Sequence, residues 1–419
     1  MTIRRAARGL RLAARLAGLA LALALPAALP AAPDAGTSAV RGEYLVRAGG
    51  CVGCHTARGG LPLAGGRALA TPFGTVYAPN LTPDARTGLG RWTREDFRRA
   101  LREGRSKDGR LLYPAFPYVN YTRLAPDDID AMFAYLRTLP AASNPNRPHA
   151  LRFPYDAQWS LAAWRTRYFS PSAFVPSTDR SPAWNRGAYL VTVLGHCDAC
   201  HGRRDMLGAI EPGQALAGGM IPAQPWYAPS LHDPSEGSVA DWPIADIVAF
   251  LRTGVSARGA AIGPMAEVVM RSTQFLTDED LAAMAEYLKA LPVATAAPRE
   301  SPPPTGKTAS DAARRQYERH CADCHGREGE GARGAYPALA GNRTVTMANP
   351  TNLIRVVLVG AFAPATAGNP RPYGMPPFAQ QLRDDEAAAI LSFVRSAWGN
   401  RAGPVAPHEV GKLRGSGGE

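Results

Sequence analysis

The 419-residue chain carries six cysteines and a formal net charge of +12. Five of those charges, Arg4, Arg5, Arg8, Arg11 and Arg15, belong to the extreme N-terminus, so the basic balance is poor evidence for nucleic-acid binding. Beyond residue 32 no hydrophobic run is long enough to span a bilayer, and the remainder is expected to be soluble or peripheral.

The N-terminal arginines, the apolar run Leu16–Leu25 and a Pro-rich stretch of small residues ending near Ala32 predict a secretory signal peptide over residues 1–32. An uncleaved anchor is the alternative reading, and no clean Ala-x-Ala site fixes the cleavage point. Arg4-Arg5 is a weak hint of twin-arginine export. The expected location is the periplasm, with peripheral attachment to the outer face of the inner membrane as an option.

All six cysteines fall in three pentads: Cys51-Val52-Gly53-Cys54-His55, Cys197-Asp198-Ala199-Cys200-His201 and Cys321-Ala322-Asp323-Cys324-His325. Two thiols at this spacing lie on one helical turn and reach the two vinyl groups of a single haem, and the following His places its imidazole under the iron. A zinc ribbon would need two knuckles close in sequence, and these lie more than a hundred residues apart. A thioredoxin-like motif would need a βαβ setting and no His. The expected cofactors are therefore three covalently bound haems c, with Cys51, Cys54, Cys197, Cys200, Cys321 and Cys324 as attachment points and His55, His201 and His325 on iron. No cysteine remains for a structural disulfide. Six haem propionates would bring the loaded protein close to neutral.

The chain also repeats itself. Arg41-Gly42-Glu43-Tyr44-Leu45-Val46 precedes the first pentad and Arg186-Gly187-Ala188-Tyr189-Leu190-Val191 the second. Pro62-Leu63-Ala64-Gly65-Gly66 is echoed by Ala215-Leu216-Ala217-Gly218-Gly219, and Pro337-Ala338-Leu339-Ala340-Gly341 reads as the third copy. Tyr77-Ala78-Pro79-Asn80-Leu81 is matched by Tyr227-Ala228-Pro229-Ser230-Leu231. Each repeat ends in an amphipathic helix: Ile129, Met132, Phe133 and Leu136 in the first, Leu281, Met284, Ala285 and Leu288 in the second, and Ile390, Phe393, Val394 and Ala397 in the third. Thr277 is the expected N-cap of the second, with Asp280 in the capping-box position. Strand signals are scarce. The predicted fold is all-α: three tandem cytochrome c-like domains with long loops, at 33–175, 176–297 and 309–400, with a linker at 298–308 and a flexible tail at 401–419.

A Met sulfur commonly takes the sixth iron position opposite His. Met375, in Gly374-Met375-Pro376, is the third repeat's candidate, because a Met set among Gly and Pro has no helical face to fill. Met265, in Gly263-Pro264-Met265, is the second's, with Met206, Met220 and Met270 as rivals and Met284 on a core stripe. In the first repeat the aligned loop Leu112-Tyr113-Pro114-Ala115-Phe116-Pro117-Tyr118 puts Phe116 in the Met slot. Met132 belongs to an apolar stripe, and His149 would ligate only if its loop folds back, a surface role being the expectation. The first haem is thus expected to lack a Met ligand, to be five-coordinate or bound by another group, and to have the lowest potential.

On the three pentads, the repeats and the Tyr-Pro-Ala-x-Pro-Tyr loop, residues 40–400 resemble the tri-haem cytochrome c subunits of bacterial periplasmic dehydrogenase complexes. The resemblance implies an electron conduit from a catalytic subunit with flavin, pyrroloquinoline quinone or molybdenum to ubiquinone or a further oxidase. Substrates in that group span alcohols, aldehydes, gluconate, fructose and N-heterocycles. It carries over the three Cys pairs, the three His, Met265 and Met375. Phe116 departs from the family's usual Met and is similar to the molybdenum-hydroxylase branch. The polar stretch Arg401–Glu419 shows no amphipathic anchor of the kind many members carry. No Gly-rich dinucleotide loop is present, so oxidation of organic substrate is expected of a partner. The alternatives are a free-standing periplasmic shuttle and a haem enzyme using open iron at the first haem.

Overall fold

The computed structural model describes residues 35–294 and 307–415. The expected signal peptide, most of the linker and the last four residues lie outside the described residues. Among the described residues no helix is long and apolar enough to cross a membrane.

Each repeat is built on two crossing helices. In the first, Ala35–Ala48 leads into the pentad helix Cys51–His55, and Pro126–Leu136 closes the repeat. The closing helix buries Ile129, Met132 and Leu136 at 2% exposure or less, so the 3.6-residue stripe faces inward. The two helices meet at Gly42, where a Cβ would come within 1.9 Å of the Ala131 carbonyl oxygen. Only glycine permits backbones to approach this closely. The second repeat repeats the device: Pro182–Tyr189 crosses Asp278–Lys289 at Gly187, whose Cβ would lie 2.0 Å from the Ala283 oxygen. In the third, Lys307–His320 packs on Asp384–Ser396.

The second repeat has one more residue than the first between its tyrosine and its pentad, and the helix absorbs it as a π-turn over Leu190–Leu194. The extra residue leaves His196 at φ 37° directly before Cys197, edge-on to the Tyr121 ring at 5.5 Å.

Short antiparallel hairpins punctuate the loops, beyond what the sequence announced. Ala68–Thr71 pairs with Gly74–Tyr77, which also takes up Ala150–Leu151 from the segment after the first closing helix. Gly219–Met220 pairs with Tyr227–Ala228, and Ala361–Phe362 with Gly374–Met375.

One continuous apolar core serves the first two repeats, joining Leu45, Leu124 and Ile129 with Val193, Leu194 and Leu281. The third has its own, centred on Tyr317, Ile354, Leu391 and Val394. The expectation of a flexible tail at 401–419 is corrected for residues up to 415. Pro407–Arg414 is a helix with Val410 fully buried in the third core, and Arg414 Nε bonds Asp384 Oδ1 at 2.7 Å.

The first two repeats interlock reciprocally. Tyr44 donates to Asp280 Oδ2 at 2.5 Å and accepts from the Thr277 amide at 3.3 Å. Tyr189 donates to Asp128 Oδ2 at 2.6 Å and accepts from the Ala125 amide at 3.2 Å. Each tyrosine therefore satisfies the N-terminus of the other repeat's closing helix. Each arginine stays at home: Arg41 holds Asp128 and Arg186 holds Asp280. Burial opposes ionisation of Asp280, but the bonds from Arg186 and Tyr44 outweigh it and hold the carboxyl below its usual range. Thr277 caps its helix as predicted, accepting from the Asp280 amide at 3.2 Å, while the Asp280 carboxylate is spent on the interlock.

Candidate haem centres

The same constellation surrounds all three pentads. His55 Nδ1 lies 2.8 Å from the Pro79 carbonyl oxygen, His201 Nδ1 2.8 Å from that of Pro229, and His325 Nδ1 2.9 Å from that of Pro337. A carbonyl can only accept, so Nδ1 carries the proton and Nε2 is left as a free lone pair, the tautomer an iron ligand needs. Burial lowers the pKa of His55 and His201, with the Pro carbonyl opposing, which favours the neutral ring.

A glycine at positive φ locks each loop. Gly65 (φ 77°), Gly218 (φ 79°) and Gly331 (φ 66°) donate their amides to the carbonyls of His55, His201 and His325 at 2.8, 2.6 and 2.8 Å. A Cβ on any of the three would strike the backbone of the segment that carries the Pro, at 2.5 to 2.6 Å. This corrects the alignment of the third repeat: Pro337 plays the part of Pro79 and Pro229, and Gly331 that of Gly65 and Gly218.

Burial pushes the thiols of Cys51 and Cys197 up to about 12 and that of Cys321 up to about 11. Among the described residues no group of three or more His, Cys, Asp or Glu side chains converges as a metal site, so each pentad stands alone. In the first repeat a cavity of about 1950 Å³ opens over Cys51, Cys54 and His55, walled by Trp92, Phe97 and Phe116. It runs on to Cys200 of the second pentad. Separate proximal imidazoles, paired thiols and an apolar cavity of this size fit haem c.

The Met slots can be compared bond for bond. Leu112 N–H donates to Gly104 O at 2.8 Å, and Ala261 N–H donates to Gly254 O at 2.7 Å, each just past a left-handed helix cap. Four residues on stand Phe116 and Met265. Met265 lies half-buried against the shared core. Its rivals Met206, Met220 and Met270 are exposed, and Met284 is buried in the core. Met375 lies on a strand against the third core. Phe116 packs edge-on to Tyr121 at 5.6 Å, and Met132 is 2% exposed in the core.

His149 does fold back. It lines the first cavity, edge-on to Tyr113 at 5.2 Å, and its Nδ1 accepts the Tyr77 amide at 3.2 Å. Nδ1 thus lacks a proton and Nε2 bears it, a tautomer that donates a hydrogen bond and does not ligate iron. Arg110 and Arg147 line the same cavity. Sequence reasoning missed the orienting carbonyls of Pro79, Pro229 and Pro337. The echoed Ala-Pro in two of the three was the available signal.

The first two pentads face one another's repeats. Asn120 Nδ2, near Phe116, bonds Asp198 Oδ1 of the second pentad at 2.8 Å. On the helix that begins Pro264-Met265, Glu267 bonds Arg67 at 2.5 Å, and Arg67 also reaches the Gly53 carbonyl in the first pentad. After burial and Arg204, the Cys54 thiol is the next influence on Cys200, raising its pKa.

Comparison with known proteins agrees with this geometry. The cytochrome c family model matches residues 39–140 and 310–398. The cytochrome c subunit of quinone alcohol dehydrogenase from Gluconobacter oxydans is 39% identical over 395 residues, covering 90% of this chain and 82% of the relative. The gluconate 2-dehydrogenase cytochrome c subunit of Pantoea cypripedii is 36% identical, covering 89% of each chain. The fructose dehydrogenase cytochrome subunit of Gluconobacter japonicus is 35% identical, covering 91% of this chain and 83% of the relative.

Proposed function

From the premise that this chain belongs to the family of cytochrome c subunits of alcohol, gluconate and fructose dehydrogenase complexes, we propose that it binds three haems c and conducts electrons from a catalytic subunit to ubiquinone or a terminal oxidase. The observation that carries the count is the threefold His–Pro–Gly constellation, with His–Pro contacts of 2.8 to 2.9 Å and Gly–His bonds of 2.6 to 2.8 Å in all three pentads. Bound haem iron supplies one-electron chemistry by cycling between ferric and ferrous states. The chain's own residues hold each macrocycle through Cys51 and Cys54, Cys197 and Cys200, or Cys321 and Cys324. They present Nε2 of His55, His201 and His325 and exclude water with the apolar core. Met265 and Met375 would complete the hold on iron in the second and third centres.

The site is periplasmic, reached by a signal peptide at 1–32, with three cytochrome c domains acting in series. The catalytic partner carries flavin, pyrroloquinoline quinone or molybdenum, and oxidises the organic substrate. The bonds that tie each of the first two pentads to the other's repeat, and the cavity they share, support direct transfer between those centres. The test is purification of the native chain from host membranes in mild detergent, followed by haem quantification and mass spectrometry of what travels with it. Three haems and a large dehydrogenase are expected. A lone soluble cytochrome would make the shuttle the better account.

Phe116 favours one second reading, an open first centre that takes a small neutral ligand on iron. Carbon monoxide binding to one reduced haem per chain is its signature.

A further inference from the structure

We propose that Arg355 is the counter-charge of a propionate on the second haem, so that the third repeat completes the second repeat's cofactor site. The inference rests on the three-haem reading above.

Arg355 lies on the third repeat's helix Thr351–Val359 and is only 8% exposed. Its Nε and Nη1 are fully buried and meet no hydrogen-bond partner among the described residues. A buried guanidinium without an anion is strongly disfavoured. Arg395 shows how this chain satisfies such a group with its own atoms. At 2% exposure it bonds the carbonyls of Gly403, Val345 and Met347 at 2.6, 2.7 and 3.0 Å. Arg355 has none of these. Burial alone lowers its pKa, and no carboxylate offsets it.

Its surroundings belong to the second repeat. The guanidinium stacks over the Trp226 ring at 5.0 Å. That ring lies under Gly263, where a Cβ would come within 2.9 Å of it, two residues before Met265. One turn earlier on the same helix, Asn352 accepts the Tyr227 amide at 2.9 Å and donates to the Tyr227 carbonyl at 2.7 Å. Helix and hairpin are thus clamped in register.

The first repeat shows what such a hairpin does. Val76 and Tyr77, the counterparts of Trp226 and Tyr227, line the cavity over His55. Arg147 stacks over Tyr77 at 4.1 Å and lines the same cavity. His149 takes the Tyr77 amide as Asn352 takes that of Tyr227. An arginine therefore stands against each hairpin on neighbouring positions, Arg147 over Tyr77 from the following segment in the first repeat and Arg355 over Trp226, the counterpart of Val76, from the third repeat in the second. The third haem is the poorer destination. Arg355 sits five residues before the helix cap Gly360, the place that Arg99 holds before Gly104. In the first repeat Phe97, Ala100 and Leu101 of that helix line the cavity, and Arg99 instead bonds Asp96.

A cation beside a propionate favours ferrous iron, so its loss lowers that haem's midpoint. The test is spectroelectrochemical titration of the full holoprotein, with haem counted by mass, for wild type, Arg355→Gln, Arg355→Lys and Met265→His. Arg355→Gln is expected to lower one midpoint, the same one that Met265→His lowers, and Arg355→Lys to restore most of it. Charge, and not packing, is what that rescue reads. Trp226→Leu, which removes the stacking platform, provides the same reading if Arg355→Gln does not accumulate. Three haems with unmoved midpoints in these variants, or a shift on a different haem, overturn the proposal. Fewer than three haems in wild type instead overturns the count on which it rests.

Discussion

Removing one hydroxyl, in Tyr189→Phe, tests whether the first two repeats fold as one body. Tyr189 is 7% exposed and its partner Asp128 3%. The substitution deletes a bond to a charged group, worth about 1.5 to 3 kcal/mol, and leaves the Ala125 amide short of its acceptor, about 1 kcal/mol more. Arg41 remains on Asp128, but its side chain is 59% exposed and compensates little. The loss is therefore about 3 kcal/mol. Tyr44→Phe removes the reciprocal bond to Asp280 and is expected to cost a similar amount. The assay is urea unfolding of the holoprotein, followed by far-ultraviolet circular dichroism and by haem absorbance. Because the repeats share a core, both variants should shift the same transition, and the double variant should shift it further than either alone. A change below about 0.5 kcal/mol in either, or separate transitions for the two repeats, would refute the interlock as a source of stability.

Three further outcomes follow from the same geometry. Phe116→Met places a thioether where Met265 stands in the second repeat, so the far-red Met-to-ferric-iron band should grow from that of two haems to that of three and carbon monoxide binding should be lost. A wild-type band already at three-haem strength contradicts this. Gly42→Ala puts a methyl 1.9 Å from the Ala131 oxygen, and the helices must separate at a cost of about 3 kcal/mol or more, read as lower yield of haem-loaded protein and a lower urea midpoint. Asp280 has its folded pKa depressed, so its contribution is fully present above its unfolded value of about 3.9 and is lost as pH falls through the folded value. Stability measured from pH 7 down to 3 should drop at the acid end by less in Asp280→Asn than in wild type, and an equal drop in both counts against it.

What the sequence made legible was local. A pentad is five adjacent residues, and an amphipathic helix announces itself within three turns, so the three pentads and the closing helices could be read directly. The docked helix Pro407–Arg414 could not. Eight residues do not sustain a period, and this helix exists because Val410 is buried and Arg414 reaches Asp384. The third repeat was misaligned because its loop is short: His325 and its Pro are 12 residues apart, against 24 and 28 in the others. The nearby Pro-Ala-Leu-Ala-Gly string imitated a different copy. His149 was illegible for a related reason, since its amide donor Tyr77 lies 72 residues away.

The interlock was half visible. Arg-Gly-x-Tyr repeats plainly, yet nothing in it says that Tyr44 reaches 236 residues forward while Arg41 stays within its own repeat. This exchange has a consequence for electron flow. The first two pentads are held by one apolar core and by bonds, one buried and one half-buried, that cross between repeats in both directions, so their separation is fixed as firmly as the fold itself. The third repeat has its own core and meets the second through a junction that mixes polar contacts, Arg343 to Asp241 at 2.7 Å and Asn352 to Tyr227, with the stacking of Arg355 on Trp226. A junction without a common core permits relative motion that a shared core forbids. On the proposed three-haem reading, such a chain would pair a rigid two-centre relay with a third centre whose coupling depends on docking. Arg355, buried at that junction without an anion of its own, is where docking and the second centre's potential would meet.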